Sequence, residues 1–195
     1  MIVRINPFAA LEDLSRRRFL IGSGAVLSAG TVALLAGRPA LAAEYGKKGG
    51  DPQSDIRILN TALGAELEAI AAYGVGAGSG LLQKPVLDLA VQFQGQHKEH
   101  ADVLAQTIRK LGGKPAEAKS QYEFPTDKLK TQNDVLAFAA GLERGAVSAY
   151  LGAMPLFKER ELAKAAASIL GDEAMHWAIL RQALGENPVP TAFVS

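Results

Sequence analysis

The chain has 195 residues, 48% of them hydrophobic, with 21 basic and 20 acidic side chains and no cysteine. That length supports one domain with a sizeable core, and the missing thiols exclude disulfides, zinc–thiolate sites and thiol chemistry. A body this close to neutral, with no basic stripe, gives no reason to expect nucleic acid as a partner.

Charge is unevenly spread along the chain. Residues 1–42 carry five basic side chains (Arg4, Arg16, Arg17, Arg18, Arg38) against Glu12 and Asp13, leaving 16 basic and 18 acidic groups on the remainder. Ser15-Arg16-Arg17-Arg18-Phe19-Leu20 matches the twin-arginine export consensus, and a Gly- and Ala-rich apolar stretch follows from Ile21 to Ala36. Ala40-Leu41-Ala42 then offers the small-x-small pattern read by signal peptidase. A retained anchor is the alternative, since the apolar stretch is almost long enough to span a bilayer. Gly22, Ser23, Gly24, Ser28, Gly30 and Thr31 make it a poor permanent span. Residues 1–42 are therefore expected to be a signal peptide for export to the periplasm, with only transient membrane contact, and residues 43–54 a linker.

Few later stretches alternate at period two, so the body reads as all-α. A first helix is expected from Ser54, a good N-cap, into the run Gly74, Gly76, Gly78 and Gly80. Pro85 suits the first turn of a second helix, which Gly112-Gly113 stops. Residues 113–131, with Pro115 and Pro125, form a long connection. A third helix begins near Asn133 or Asp134 and ends at Pro155, and a fourth runs from about Lys158 to Leu184, stopped by Gly185. Level placement of Glu143 and Glu173 puts a loop at 154–159. Short connections make each hairpin antiparallel, while the long one can return the chain and leave the second and third helices parallel. That is a ferritin-like four-helix bundle with one long crossover, spanning 55–185 and followed by a tail at 186–195.

The chain repeats a motif. Residues 66–73 read Glu-Leu-Glu-Ala-Ile-Ala-Ala-Tyr and residues 143–150 read Glu-Arg-Gly-Ala-Val-Ser-Ala-Tyr, each followed some 33–34 positions after its Glu by a histidine, His100 and His176. Positions i and i+3 share a helix face, so Glu173 points with His176 and His97 with His100. Glu66 and Glu143 complete a set of six side chains from four helices at one level of the core. Buried carboxylates are costly unless paired or bound to metal, and a repeated Glu…His arrangement builds symmetric two-metal sites in helical bundles. Oxygen and nitrogen ligation without sulfur suits iron or manganese, with zinc also accommodated. Tyr73 and Tyr150, two turns beyond their glutamates, read as core packing, with a redox role open for Tyr73. Glu68 and Glu99 fall on solvated faces, and Trp177 reads as packing.

Leu59-Asn60-Thr61-Ala62-Leu63-Gly64-Ala65-Glu66-Leu67-Glu68-Ala69-Ile70 resembles the first helix of bacterioferritins. His100-Ala101-Asp102 resembles the end of their Glu-x-x-His-Ala-Asp segment, and Ile169-Leu170-Gly171-Asp172-Glu173-Ala174-Met175-His176 is similar to the fourth-helix segment of the same superfamily, which includes rubrerythrins. The resemblance implies two iron ions with Glu66 and Glu143 as terminal carboxylates, His100 and His176 as terminal imidazoles and Glu173 as a bridge. It also implies that Asp172 supports a ligand imidazole, a place Gln96 holds on the second helix. One position departs: the family has a second bridging Glu where this chain has His97. A neutral imidazole offers one free lone pair, so His97 could ligate one metal terminally or reduce the site to a single ion, and it is expected at the rim. The function implied is oxidation of iron(II) or reduction of dioxygen or peroxide; the competing reading is a non-enzymatic envelope or stress-related bundle with a degenerate site. A homodimer is compatible with either.

Replacing Arg16 and Arg17 together by Lys should leave precursor in the cytoplasm. Cell fractionation checks this, and unchanged export of the double variant would rule the twin-arginine route out.

Overall fold

The computed structural model describes residues 52–194. The expected signal peptide and nearly all of the expected linker lie outside them. Four long helices make up the described body, α1 (Pro52–Gly78), α2 (Lys84–Lys110), α3 (Gln132–Ala153) and α4 (Arg160–Ala183), with short 3-10 turns at Thr126–Lys128 and Met154–Leu156 and no strand among the described residues. No helix among those residues is long and apolar enough to cross a membrane.

Cross-helix hydrogen bonds fix the directions. Tyr150 on α3 reaches Glu66 on α1, and Tyr73 on α1 reaches Glu143 on α3, so these two helices run antiparallel. Each is also antiparallel to its hairpin partner, which leaves α2 and α3 parallel, with the chain returning along the bundle through residues 111–131. Asn60 anchors that crossover: its amide donates to the Lys114 carbonyl at 3.1 Å and its side-chain oxygen accepts from the Ala116 N–H at 2.6 Å.

Helix ends follow local chemistry, with three corrections to the sequence reading. Ser54 lies inside the first turn of α1, where its buried hydroxyl has no hydrogen-bond partner, and is not an N-cap. α3 begins at Gln132 because Thr131 and Asp134 form a reciprocal capping box, each side chain meeting the other's backbone N–H. α4 begins at Arg160, since the buried Asp55 carboxylate accepts the Lys158 and Glu159 N–H groups at 2.9 and 3.1 Å and holds that segment as loop. The expected loop at 154–159 opens with a 3-10 turn at Met154–Leu156.

α2 ends in a Schellman motif: Gly112 takes φ +81°, its N–H donates to the Arg109 carbonyl, and the Gly113 N–H donates to the Ile108 carbonyl. α4 ends the same way, with Gly185 at φ +76° and Glu186 bonded back to Arg181.

Two apolar clusters occupy the interior. One gathers Ile56, Leu59, Leu63, Leu104, Ile108 and Ile169; the other gathers Tyr73, Phe93, Leu136, Ala140 and Leu180. Burying each large aliphatic side chain stabilises the fold by about 1.5–3 kcal/mol. Between the two clusters the core is charged.

Gly113 tests how tightly the crossover packs on α1, because a Cβ there would lie 2.7 Å from Ile56 Cγ2 and 3.0 Å from Ile108 Cγ2. Gly113→Ala should cost about 1–3 kcal/mol through overpacking. Gly112→Ala, with open space around it, should cost about 1–2 kcal/mol through its left-handed backbone alone. Denaturant unfolding measures both, and a neutral Gly113→Ala would contradict the packing.

Candidate metal centre

Each helix contributes to one buried level. α1 supplies Glu66 and Tyr73, α2 supplies Gln96, His97 and His100, α3 supplies Glu143 and Tyr150, and α4 supplies Asp172, Glu173 and His176. Glu66, His97, Glu143, Glu173 and His176 are buried, and His100 is partly so. All six candidate ligand residues meet there, as their helical spacing predicts.

Their atoms fall into two groups. Glu66, His97, His100 and Glu173 each place one nitrogen or oxygen within 4.8 Å of the others, and so do His97, Glu143, Glu173 and His176. His97 and Glu173 belong to both. His100 Nδ1 lies 3.1 Å from Glu173 Oε1 and 3.6 Å from Glu66 Oε2. His176 Nδ1 lies 3.5 Å from Glu143 Oε1 and 3.8 Å from Glu173 Oε2. The two Glu173 oxygens thus face opposite groups.

Outer contacts orient the rings. His100 Nε2 and His176 Nε2 each lie 3.3 Å from the same Asp172 oxygen, and His176 Nε2 also meets Gln96 Oε1 at 2.8 Å. A proton on each Nε2 directed at these acceptors leaves the Nδ1 lone pairs facing inward, the outer support seen around imidazole ligands of metals. Phe93 stacks on His176 with ring centroids 3.9 Å apart.

His97 is not at the rim. Its Nδ1 meets Glu66 Oε2 at 2.8 Å, its Nε2 meets Glu143 Oε1 at 3.2 Å, and the ring is buried at the middle of the cluster. A neutral imidazole cannot bridge as the family's carboxylate does, which suggests displacement to the rim. The ring nevertheless fits the central place because each nitrogen meets a different glutamate. Tyr150 does more than pack: it donates to Glu66 Oε1 at 2.6 Å, mirroring the bond from Tyr73 to Glu143. The seven-residue spacing from each glutamate to its tyrosine carried that signal, because the two motif helices run antiparallel and each tyrosine meets the other's glutamate. Glu99 is exposed as expected, whereas Glu68 is buried beside Glu66 in the cleft between α1 and α3. Trp177 packs against the cluster around Phe93.

Protonation follows from this crowding. Burial favours neutral His97, but its bonds to Glu143 and Glu66 and the surrounding carboxylates outweigh that and raise its pKa to about 11. Burial likewise opposes charge on His100, and Glu173 and Glu66 raise its pKa to about 9. Burial and the neighbouring carboxylates lift Glu173 to about 9. Against their own desolvation, Glu66 and Glu143 are held below the usual carboxylate range by the imidazoles around them. Burial and the adjoining glutamates push both tyrosines up.

Even so, the cluster is not self-sufficient. Glu143 Oε2, both Glu173 oxygens, His100 Nδ1 and His176 Nδ1 are buried with no hydrogen-bond partner. These five atoms belong to residues of the two ligand groups, where a cation would satisfy them. The donor set, three carboxylates and three imidazoles, fits a first-row transition metal.

A family model described as a ferritin-like domain matches residues 54–186. Among solved structures, the chain is similar to a conserved hypothetical protein, rv2844, from Mycobacterium tuberculosis, with a TM-score of 0.63 at 22% identity over 72% of this chain and 97% of that one. At that identity the likeness speaks for the fold alone. No curated protein matches. The chain, a four-helix bundle with carboxylates and imidazoles gathered at its centre, belongs to the ferritin-like family.

Proposed function

We propose that this is an exported ferritin-like metalloprotein whose carboxylate and histidine centre holds iron, or manganese in its place, and oxidises iron(II) or reduces dioxygen or peroxide. One observation carries the metal reading: five buried ligand atoms of Glu143, Glu173, His100 and His176 make no hydrogen bond, and their residues fall within two groups of candidate ligands. Export rests on the Ser15–Leu20 motif. Glu66 and Glu143 would hold the outer coordination positions, with Glu173 between the two groups and His100 and His176 completing them.

Bound iron would supply electrons to the oxidant. The chain's own residues do the rest. Asp172 and Gln96 keep the ring nitrogens of His100 and His176 aimed inward. Tyr73 and Tyr150 each donate to one carboxylate oxygen, holding its rotamer. Phe93 and Leu63 are fully buried and wall the interior against water. A largely apolar cleft between α1 and α3, about 660 Å³ with its open mouth, reaches Glu66, His97 and Glu143 and would admit a small oxidant.

A second reading, a bundle with a degenerate site, has its own support. The His97 ring joins Glu66 and Glu143 by hydrogen bonds, so part of the buried charge is balanced within the chain. A metal count separates the two. Protein prepared from its native compartment should carry a transition metal in near-stoichiometric amount by elemental analysis. Glu173→Ala should reduce occupancy at least tenfold, because it removes the carboxylate common to both groups. Uptake should release protons and weaken as pH falls, since ligands must deprotonate to bind. Metal-free protein that also refuses added iron(II) and manganese(II) would favour the degenerate bundle.

A further inference from the structure

The position that departs from the family pattern also links the two ligand groups. Nδ1 of His97 faces Glu66 Oε2 at 2.8 Å and Glu173 Oε1 at 3.6 Å. Nε2, on the opposite side of the ring, faces Glu143 Oε1 at 3.2 Å. Nδ1 therefore belongs with Glu66, His100 and Glu173, while Nε2 belongs with Glu143 and His176. We infer that His97 is a bridging ligand, its ring joining two metal ions through Nδ1 and Nε2 in the place where the ferritin-like pattern uses a carboxylate. The inference rests on the metal-centre reading above.

A neutral imidazole has one lone pair, and so one free ligand atom. Loss of the ring proton gives an imidazolate with a lone pair on each nitrogen. The balance is simple: for each N–H bond that breaks, a nitrogen–metal bond forms at that atom and the proton leaves to solvent. A cation at one nitrogen favours that loss, as bound cations acidify the groups that ligate them.

Charge supports the same conclusion. With a neutral His97 the six candidate ligands carry three negative charges, from Glu66, Glu143 and Glu173. With an imidazolate they carry four, which equals the charge of two divalent cations. Geometry adds a constraint of its own. Tyr73 lies against His97 with ring centroids 5.2 Å apart, and the His100 and His176 rings meet it edge-on at 6.0 and 5.3 Å, so the ring has aromatic neighbours on several sides. A ring so enclosed is held in the orientation that aims one nitrogen at each group. Ions held this way would stand apart by the width of an imidazole, wider than a carboxylate-bridged pair.

The test uses the full chain loaded with zinc(II), counted by native mass spectrometry, and with copper(II), examined by electron paramagnetic resonance. The wild-type chain should hold two zinc ions, and the copper-loaded protein should show spin-coupled ions. X-ray absorption of the zinc protein should lack the short metal–metal path of a carboxylate-bridged pair. His97→Gln, which lacks two opposed ring nitrogens, should drop from two ions to one and lose the coupling. His97→Glu should keep two ions and gain the short path. One ion in the wild-type chain, uncoupled and unchanged in His97→Gln, would overturn the bridge while leaving the metal centre standing. Two ions with a short path in the wild-type chain would overturn the bridge as well. No zinc and no copper at all would overturn both the bridge and the metal-centre reading.

Discussion

Three carboxylates and three imidazoles share one level of the bundle, and their removal from water is the constraint that organises the rest. Moving an isolated carboxylate into a low-dielectric interior is idealised at tens of kcal/mol, far more than any one apolar contact returns. The cost is contained by placing opposite partners within reach. His97 lies between Glu66 and Glu143, each glutamate receives a tyrosine hydroxyl, and Glu173 has its pKa raised to about 9. Apolar clusters on both sides then do the ordinary work of stabilising a bundle. Such a core is stable only if the helices keep their register, because a shift of one residue turns a ring or carboxylate by about 100° into an apolar wall.

The repeated motif explains how the register is kept. α1 and α3 carry the same Glu-to-Tyr spacing and run antiparallel, so Tyr73 meets Glu143 while Tyr150 meets Glu66. One local pattern, used twice, thus yields two reciprocal cross-links between hairpins. α2 and α4 complete the arrangement without the same equality. Gln96 stands where α4 has Asp172, and His97 where α4 has Glu173. Both unequal pairs lie where the halves meet: Asp172 reaches the outer nitrogens of His100 and His176, while His97 and Glu173 serve both ligand groups. The internal symmetry is strict where a terminal group is needed and broken where the halves must be joined.

Much of this is legible in the chain because the information is periodic. Helix number, the parallel pair flanking the crossover and the shared faces of His97 with His100 and Glu173 with His176 follow from 3.6-residue geometry and loop length. Less legible are features set by contacts between distant segments. The start of α4 depends on Asp55, more than 100 residues away in sequence, taking two backbone N–H groups. Ser54 looks like a cap in isolation, yet the helix begins before it. The burial of Glu68 depends on the cleft between α1 and α3, which no single-helix projection contains. The spacing of His97 puts it on the same face as His100 but does not put it at the centre of the cluster, because the different partners of its two nitrogens come from other helices.

An imidazole at the junction would change what such a centre can hold. Replacing a carboxylate by a ring exchanges a hard oxygen donor for a borderline nitrogen, which moves the preference away from magnesium, calcium and manganese and toward iron or zinc. The ring also offsets the buried carboxylates, because it stands between Glu66 and Glu143 and its bonds to them favour the protonated ring. A bundle emptied of metal would otherwise bury unbalanced carboxylates and lose much of its stability. The same ring can therefore serve both states: as an imidazolium it offsets the glutamates, and as an imidazolate it adds the charge that two divalent ions require. A glutamate at position 97 would add negative charge but could not offset Glu66 and Glu143.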